Sequence, residues 1–490
     1  MTDLDPLEGV DAVLFDVGGT LVQEAPPLTP VDALVARPLP GAVETLEGLA
    51  RHHRLAAVTD TAVMDEHAVR KLLAPAGIDA LLDVVVTSYD VGAAKPDPTS
   101  LRTALGRLGV AADRACYVGD RAVDREAARR AGVRFVAVDA GLPDALERAR
   151  VRLPALPALD DGAAAAMRDR QERLTKPPGS LGALEDLSVL LAAIAGRCPP
   201  PVPARPAVAV FAADHGVVAS GVTPWPQDVT AQMVRNFVRG GAAINALARQ
   251  VGATVHVVDT GVAADLSDLT GVRHHKVREG TADLAHGPAM TAADVRAAVA
   301  VGLGVARDLV GAGHDLLVTG EMGIGNTTPA AALVACFTGA PPEQVTGRGT
   351  GIDDDTFTRK VDVVTRAVAR ASGYLDPLSV LAEVGGLEIA ALTGFVLGGA
   401  AARVPVVVDG VIACAAACAA EALVPGVRSR LVGGHRSVEP GAPAALAHLG
   451  LRPLLDLDLR LGEGTGACLA VPIVQAAARV AAEMATFDDL

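Results

Sequence analysis

Five polar residues in the first third of the chain lie at or near the ends of apolar, strand-like runs. Because the carboxyl ends of parallel strands meet along one edge of an open sheet, these side chains are expected to converge. A carboxylate can attack phosphorus, carboxylates can hold Mg²⁺, and a lysine and a hydroxyl can hold phosphate oxygens. One such aspartate alone is more often a helix cap, but this set in this order predicts a phosphoryl-transfer site. The residues are Asp16, Thr59, Lys95, Asp120 and Asp124.

Two glycine-rich loops in the C-terminal part have the composition of a phosphate cradle. GEMGIGNTT (320–328) follows the apolar run Leu316–Thr319 and precedes a predicted helix at Pro329–Cys336. GRGTG (347–351) comes later, with Lys360 beyond it. Glycines let backbone N–H groups approach a phosphate, and a helix N-terminus favours negative charge. The first loop is neither a P-loop nor a dinucleotide GxGxxG loop. One such loop alone would indicate tight turns, whereas two loops with Thr, Asn and a lysine favour phosphate binding.

Glu463 lies between Gly462 and Gly464, beside apolar stretches. A carboxylate in a tight, poorly solvated turn has a raised pKa and can serve as a general base. On this pattern alone, an ordinary loop carboxylate is an equally good interpretation.

Strand-like and helical patterns alternate along the first 145 residues, which predicts a parallel sheet covered on both faces. The pattern fades near residue 145, and Leu153–Gly162, with two prolines, indicates a linker. Alternation resumes near residue 165 and continues to the end. We therefore predict an α/β protein with domains at 1–150 and 165–490 and a linker at 151–164. The expected N-terminal elements are strands at Asp11–Phe15, Leu55–Val58, Val84–Val86, Ala115–Val118 and Val133–Val138, and helices at Pro40–His53 and Arg121–Ala131.

Composition excludes several classes of protein. The 490 residues include 57 acidic and 43 basic side chains, a net charge of −14, which argues against nucleic-acid or anionic-membrane binding. The first residues are acidic where a signal peptide is basic, and the most apolar windows, near 387–424, contain charges, so no membrane span is expected. The six cysteines form no CxxC pair and fit a reducing cytoplasm, and Cys414 and Cys418 are interpreted as core packing.

Residues 8–145 resemble the haloacid dehalogenase superfamily of hydrolases, through FDVGGTLV, the strand-end threonine, KPDP and the later aspartates. The resemblance implies a Rossmann-like domain with Asp16 as nucleophile and Thr59 and Lys95 as phosphate ligands. It also implies that Asp16, Asp120 and Asp124 bind Mg²⁺.

Two features set this segment apart from the phosphatase branch of that superfamily. The residue two positions after the nucleophile, normally a second Asp acting as general acid and base, is Gly18. Its loss costs about 10²–10⁴ in rate, so phosphate or Mg²⁺ binding is expected while catalysis stays open. The proline-rich segment Val22–Leu39 is too short for a large cap domain. A minimal cap would leave the site open to a bulky substrate.

Residues 160–485 resemble the nicotinate-nucleotide–dimethylbenzimidazole phosphoribosyltransferase family. The similarity rests on long motifs: RQERLTKPPGSLGALE, AADHGVVASGVTPWPQDVTAQMVRNFVRGGAAINALAR, GEMGIGNTTPAAAL, TGRGTGIDD, VGGLEIAALTG and RLGEGTGACLA. The family implies a parallel-sheet α/β domain with a smaller helical subdomain, and a homodimer. Its reaction moves phosphoribose from nicotinate mononucleotide to 5,6-dimethylbenzimidazole, giving α-ribazole 5′-phosphate and nicotinate for the lower ligand of cobalamin.

This resemblance also implies roles for individual residues. Glu463 matches the family's general base, which removes the benzimidazole proton, and Glu321 is the candidate for stabilising the oxocarbenium-like ribose. The cationic nicotinate leaves without a general acid, and no cofactor or metal is required for the transfer. The expected binding residues are Gly323, Gly325, Asn326, Thr327, Gly349, Thr350 and Lys360 around the phosphate, and Asp214, His215 and Gln227 around the base.

Three hypotheses account for the N-terminal unit. It removes phosphate from the transferase product, α-ribazole 5′-phosphate; it is a silent phosphate-sensing or dimerising module; or it is a phosphatase for an unrelated substrate. For the whole chain, the alternative is a metabolite-binding regulator built on an inactive transferase. The presence of Glu463, GIGNTT and GRGTG argues against that alternative.

Overall fold

The computed structural model describes residues 2–4, 7, 10–24, 29–138, 142, 151–374 and 376–490. The chain divides into two compact units, Met1–Arg152 with Gly373–Ser379 and Leu153–Ser372 with Val380–Leu490. Residues 25–28 of the proline-rich segment and the expected domain end at residue 150 lie outside the described residues.

The N-terminal unit is built on a parallel sheet with helices between its strands. The strands up to residue 153 are β1 (Thr2–Leu4), β2 (Ala12–Phe15), β3 (Arg54–Thr59), β4 (Val84–Thr87), β5 (Ala115–Gly119), β6 (Arg134–Ala137) and β7 (Val151–Leu153). The helices are α1 (Ala42–Leu49), α2 (Glu66–Leu73), α3 (Ser88–Val91), α4 (Thr99–Leu108) and α5 (Ala122–Ala131). Strands β2 to β6 form one sheet in the order β4-β3-β2-β5-β6, with every pairing parallel. This confirms the predicted α/β architecture.

Strand β2 shows why its sequence is apolar throughout. Val13 and Phe15 pack into the core on one face of the sheet, and Ala12 and Leu14 pack into the core on the other. Successive side chains of a strand point to opposite faces, so a strand buried on both faces has no polar positions. The first polar residue after this run, Asp16, therefore marks the edge of the sheet.

The segment expected to be a linker contains regular structure at both ends. Strand β7 pairs with β1, and the next helix is N-capped by the Asp160 carboxylate. A side-chain oxygen at this position satisfies an N–H group of the first helical turn. The stretch without regular structure is therefore 154–160.

The C-terminal unit contains a seven-stranded parallel sheet, whose strands lie side by side in the order β10-β9-β8-β11-β12-β13-β14. Its strands are β8 (Pro206–Ala213), β9 (Thr254–Gly261), β10 (Val272–His274), β11 (Leu316–Met322), β12 (Val406–Asp409), β13 (Leu431–His435) and β14 (Pro453–Leu455). Its helices are α6 (Asp161–Arg173), α7 (Ala183–Ala195), α8 (Val229–Arg239), α9 (Ala243–Val251), α10 (Ala292–Gly311), α11 (Thr327–Thr338), α12 (Pro342–Val345), α13 (Asp354–Ala371), α14 (Pro377–Val384), α15 (Leu387–Ala401), α16 (Gly410–Leu423), α17 (Gly441–Leu449) and α18 (Thr465–Glu483). Helix α11 packs against α13, α16 and α17, and α16 also packs against α17.

Strand β11 continues three residues past the run expected from the sequence. Glu321 pairs with Phe211 of β8 in the parallel register, so it belongs to the strand and not to the loop. Helix α11 also begins earlier than expected, at Thr327. The glycine-rich loop is therefore shorter than the sequence indicates and is held between two regular elements.

Helices α10 and α15 approach each other at positions that lack a side chain. A Cβ atom on Gly302 would overlap the carbonyl oxygen of Ala391, and one on Gly394 would overlap that of Val299. Backbone atoms cannot move aside as a flexible side chain can, so these glycines set the distance between the two helices.

Gly302→Ala is expected to lower the free energy of unfolding of the C-terminal unit by about 1–3 kcal/mol, because the two helices must separate. Gly304→Ala is the matched control: its Cβ would meet only the end of the Arg307 side chain, at 4.0 Å. There alanine should be neutral or stabilising by up to about 1 kcal/mol, because it favours the helix. Urea unfolding measures both changes. Equal stabilities of the two variants would contradict the close helix packing.

Among the described residues, one helix, α18, is long and apolar enough to cross a membrane by length and composition alone. Of its apolar window, 56% is buried inside the structure. That degree of burial is also what a core helix shows.

Candidate active sites

Lys95 links two buried aspartates of the N-terminal unit. Its Nζ lies 2.5 Å from Asp16 Oδ1, 2.6 Å from Asp124 Oδ1 and 3.0 Å from the Tyr117 hydroxyl. The lysine is 6% exposed and the two aspartates at most 1%. A buried ammonium requires compensating charge, so Lys95 and the two carboxylates depend on each other for their placement.

The acidic group that was expected to hold Mg²⁺ is assembled in the fold. One oxygen each of Asp16, Asp120 and Asp124 lies within 4.8 Å of the others. Asp16 Oδ2 is buried and accepts no hydrogen bond within the described part of the chain, although Arg121 Nη2 is 3.8 Å away. Burial raises the pKa of Asp16 to about 6, against the lowering effect of Lys95. A buried carboxylate oxygen that accepts no hydrogen bond from the described residues, beside two further carboxylates, fits a Mg²⁺ ion, which prefers oxygen ligands.

Asp120 lies directly over the loop that follows β2. Thr20 Oγ1 donates to its Oδ1 at 3.2 Å. A Cβ on Gly19 would overlap the Asp120 carboxylate, and the φ of Gly19 is +76°, so glycine is required here on both counts. Burial raises the pKa of Asp120. Thr59 is the last residue of β3, the strand beside β2, and so lies at the same edge of the sheet.

The C-terminal unit has a cleft at the carboxyl end of β11. The loop between β11 and α11 lines it, in the position where ligands of parallel α/β sheets bind. Much of the predicted binding set meets there, namely Glu321, Gly323, Gly325, Asn326, Thr327, Gly349, Thr350 and Lys360.

Lys360 joins the two glycine-rich loops. Its Nζ donates to Thr327 Oγ1 at 2.8 Å and to the carbonyl oxygen of Gly347 at 2.9 Å. Because the side chain is 2% exposed, burial lowers the pKa of Lys360 to about 8. A buried cation beside a helix N-terminus provides two attractions for the same anion.

The GRGTG loop is held by a carboxylate. The Gly349 N–H donates to Glu439 Oε1 at 2.7 Å, and Arg460 Nη1 donates to the Gly349 carbonyl at 3.2 Å. Gly349 has a φ of +57°, which favours glycine. At the mouth of the cleft, Trp225 Nε1 donates to Thr350 Oγ1 at 3.0 Å, with half of the indole side chain exposed.

Glu321 is a buried acid at the base of the cleft. Burial raises its pKa to about 8, while hydrogen bonds from the Asn326 side chain and the Glu463 backbone act in the opposite direction. Asn326 Nδ2 lies 2.5 Å from Oε2. Glu321 therefore favours its protonated form at neutral pH, and a nearby cation would be needed to lower its pKa and favour the carboxylate.

The backbone of Glu463 lies beside the Glu321 carboxyl and donates a hydrogen bond to it. A Cβ on Gly462 would overlap the Glu321 carboxylate, so only glycine fits between the two glutamates. Gly462 lines the cleft, and Glu463 follows it in the left-handed region, with a φ of +63°. A non-glycine residue held in this region is a form of strain that often accompanies function. Its Oε2 accepts from Ile244 N–H at 3.1 Å, and burial raises its pKa.

The residues expected around the aromatic base occupy different surroundings. His215 is fully buried, and its Nε2 lies 2.8 Å from Glu388 Oε1; burial lowers its pKa but Glu388 outweighs this, so the net shift is upward. Asp214 Oδ2 accepts from Ala263 N–H at 2.8 Å, and burial raises its pKa. Asp214 and His215 do not line the cleft around Glu321. Gln227, which is half-buried just before α8, does not line it either. His215 packs beneath Gly323 and so supports the loop from below.

Sequence reasoning missed two buried acidic residues that act electrostatically on Glu321. Asp409 ends β12, where burial raises its pKa to about 6 and Gly466 N–H donates to it at 2.8 Å. Asp409 follows the apolar run 406–408, and the same strand-end pattern identified Asp16, so the sequence could have identified Asp409 as well. Glu388 lies in an apolar helix, whose sequence we interpreted as a buried core helix. Both carboxylates raise the pKa of Glu321.

Comparison with known proteins covers both units. Residues 156–490 match the family described as Phosphoribosyltransferase, and residues 32–138 match the family Haloacid dehalogenase-like hydrolase. The nicotinate-nucleotide–dimethylbenzimidazole phosphoribosyltransferase of Salinispora tropica is 58% identical over 345 residues, covering 67% of this chain and 95% of the relative. The Chloroflexus aurantiacus enzyme of the same name is 56% identical over 330 residues, covering 67% and 94%. The crystal structure of CobT from Thermus thermophilus matches with a TM-score of 0.66 and 51% identity, covering 67% of this chain and 98% of that one.

Proposed function

This chain belongs to the nicotinate-nucleotide–dimethylbenzimidazole phosphoribosyltransferase family, with a haloacid dehalogenase-like domain before it, and we propose that it carries out two successive reactions. The C-terminal unit transfers phosphoribose from nicotinate mononucleotide to 5,6-dimethylbenzimidazole. The N-terminal unit removes phosphate from the product, α-ribazole 5′-phosphate. The observation that carries the first reaction is that an acid, two glycine-rich loops and a buried lysine line one cleft.

The 5′-phosphate is bound by the loop between β11 and α11 together with Lys360. Backbone N–H groups at the start of α11 face the anion, and the ammonium of Lys360 neutralises part of its charge. Thr327, whose hydroxyl accepts from Lys360, lies at the point where the loop becomes helix.

Glu321 lies beside the ribose and the departing nicotinate. The pyridinium nitrogen of the substrate is cationic, so its approach lowers the raised pKa of Glu321 and favours the carboxylate. The anion then stabilises the positive charge that develops on the ribose as the glycosidic bond breaks. Nicotinate leaves as a neutral pyridine ring and needs no proton.

Glu463 removes the proton from the benzimidazole ring as its other nitrogen attacks the ribose. Its raised pKa brings its basicity closer to neutral pH, as proton transfer requires. The family reaction converts a β-glycosidic bond to an α-glycosidic bond, and inversion at the anomeric carbon agrees with a single displacement that uses one base. Asp214, His215 and Gln227 are proposed to act near the aromatic base, and His215 also holds Gly323 of the phosphate-binding loop in place.

The N-terminal reaction uses the buried group around Lys95. Asp16 attacks phosphorus, and Thr59 and Lys95 hold phosphate oxygens. Asp16, Asp120 and Asp124 would hold Mg²⁺, which neutralises phosphate charge when bound. The alternatives are a silent phosphate-binding or dimerising module and a phosphatase for another substrate.

One incubation separates these possibilities. The full chain is mixed with nicotinate mononucleotide, 5,6-dimethylbenzimidazole and Mg²⁺, and products are weighed by mass spectrometry. The dephosphorylated riboside is expected. Accumulation of α-ribazole 5′-phosphate would support the transferase activity and contradict the phosphatase activity. If neither the riboside nor its 5′-phosphate forms, both activities are contradicted.

The family resemblance also predicts a homodimer, which sedimentation would test. We place the reactions in the cytoplasm, since all six cysteines are free.

The transferase is expected to lose kcat/KM for nicotinate mononucleotide as pH rises above about 8. Lys360 has a pKa of about 8, so it is charged below that pH and neutral above it, where it no longer attracts the phosphate. In Lys360→Arg the basic limb should move beyond about pH 10, because arginine stays protonated. Lys276→Arg, at a partly exposed lysine paired with Asp259, is the control. A basic limb that stays at the same pH in Lys360→Arg would contradict the assignment.

A further inference from the structure

The chain folds back over the loop that carries the N-terminal nucleophile. Gly19 N–H donates to the Val22 carbonyl at 2.9 Å, and Val22 N–H donates to the Val17 carbonyl at 3.0 Å. Val22 also forms an isolated bridge with Gly18. These bonds bring Glu24, two residues further, next to the position where the sequence lacks an acid.

Glu24 fills the space into which a side chain at position 18 would point. A Cβ atom on Gly18 would lie 3.6 Å from Glu24 Cγ and 4.0 Å from its Oε1. Both are ordinary van der Waals distances, so the glutamate occupies the neighbourhood that the carboxyl of an aspartate at position 18 would reach. Glu24 is exposed, so its carboxyl is open to solvent and to a substrate.

We propose that Glu24 is the general acid and base of the N-terminal phosphatase, in place of the residue that Gly18 does not supply. This inference rests on the proposed phosphatase function. It makes Glu24 a catalytic residue that touches the leaving oxygen. Its origin in a different segment explains why a glycine is tolerated two positions after Asp16.

The two chemical steps use Glu24 in opposite directions. In the first, an Asp16 oxygen forms a bond to phosphorus, the bond from phosphorus to the ribose oxygen breaks, and Glu24 gives its proton to that oxygen. In the second, Glu24 takes a proton from water as the water oxygen bonds to phosphorus. The bond from phosphorus to Asp16 then breaks, which releases phosphate and restores both carboxyl groups.

The leaving group of the phosphate ester determines whether the first step is slowed when Glu24 is replaced. An alkyl alcohol such as ribose needs the proton to leave, whereas p-nitrophenolate is a weak base and leaves without one. In Glu24→Gln the first step should be slowed by about 10²–10⁴-fold with α-ribazole 5′-phosphate and nearly unchanged with p-nitrophenyl phosphate. The second step lacks its base with both substrates.

The test follows Glu24→Gln of the full chain, in Mg²⁺ buffer, with both phosphate esters. With p-nitrophenyl phosphate we expect a burst of one equivalent of p-nitrophenol, slow turnover after it, and a phosphorylated Asp16 by mass spectrometry. With α-ribazole 5′-phosphate we expect neither burst nor phosphorylated protein. Gly18→Asp added to Glu24→Gln should restore turnover, and Glu47→Gln, an exposed glutamate of α1, should behave as wild type.

The outcomes separate this inference from the function on which it rests. If Glu24→Gln is as active as the wild type, the role of Glu24 is overturned, while the phosphatase activity of the N-terminal unit still stands. Equal loss with both esters and no burst also overturns it, because a structural defect would slow both first steps alike. A wild-type chain that releases phosphate from neither ester overturns the phosphatase and the role of Glu24 together.

Discussion

Glu463→Gln is expected to lower transferase turnover by about 10²–10⁴-fold, because an amide cannot take the benzimidazole proton. Glutamine keeps the size of the side chain and its oxygen can still accept the 3.1 Å hydrogen bond from Ile244 N–H. The glycine-rich turn should therefore keep its shape, and the KM for nicotinate mononucleotide should change little. Steady-state kinetics with 5,6-dimethylbenzimidazole measures both constants.

Glu483→Gln provides the matched control for this variant. Glu483 is exposed at the end of α18 and pairs with Arg479 of the same helix, at 3.4 Å. Its turnover should equal that of the wild type. Full turnover by Glu463→Gln would contradict the assigned base and would direct attention to Glu321 or Asp409 as the proton acceptor.

Asp16→Asn is expected to abolish phosphate release from α-ribazole 5′-phosphate while leaving the transferase intact. The amide is too weak a nucleophile to attack phosphorus, and the loss of one negative charge leaves Lys95 with Asp124 as its remaining close carboxylate. The product mixture should change from the riboside to its 5′-phosphate. Mass spectrometry of the coupled reaction reports both activities in one experiment.

A second aspartate of the same unit serves as the control. Asp113 is exposed in a short turn before β5, and Asp113→Asn should release phosphate at the wild-type rate. If Asp16→Asn still yields the dephosphorylated riboside, then the N-terminal unit uses another nucleophile or another group removes the phosphate.

The two expected results together would explain why the units share one chain. The first reaction makes a phosphomonoester, and the second would consume it at a site with a minimal cap. Different variants stop each step, Glu463→Gln the first and Asp16→Asn the second. Complementation by mixing the two variants would show whether the intermediate is released to solution.

Much of the fold was open to prediction because buried parallel strands have a distinctive composition. Continuous apolar runs such as 12–15 and 316–319 are buried on both faces, and the polar residue that follows each run marks the sheet edge. The same rule placed the end of β11 too early, because it takes the first polar residues after an apolar run as the end of the strand. Glu321 is an ionisable residue inside the strand, where burial favours its neutral form and Asn326 and the Glu463 backbone donate hydrogen bonds to it.

The sequence by itself predicted the two α/β units, because local spacing and composition carry that information, and its resemblance to two families implied roles for Asp16, Lys95, Lys360 and Glu463. The tertiary structure alone decided which of the expected residues share a cleft, and it left Asp214, His215 and Gln227 outside the lining of the cleft around Glu321. It also set the raised pKa of Glu321 and the approach of Glu24 to Gly18. The physical reason is that burial and proximity arise from segments far apart in the chain, whose meeting no local pattern specifies.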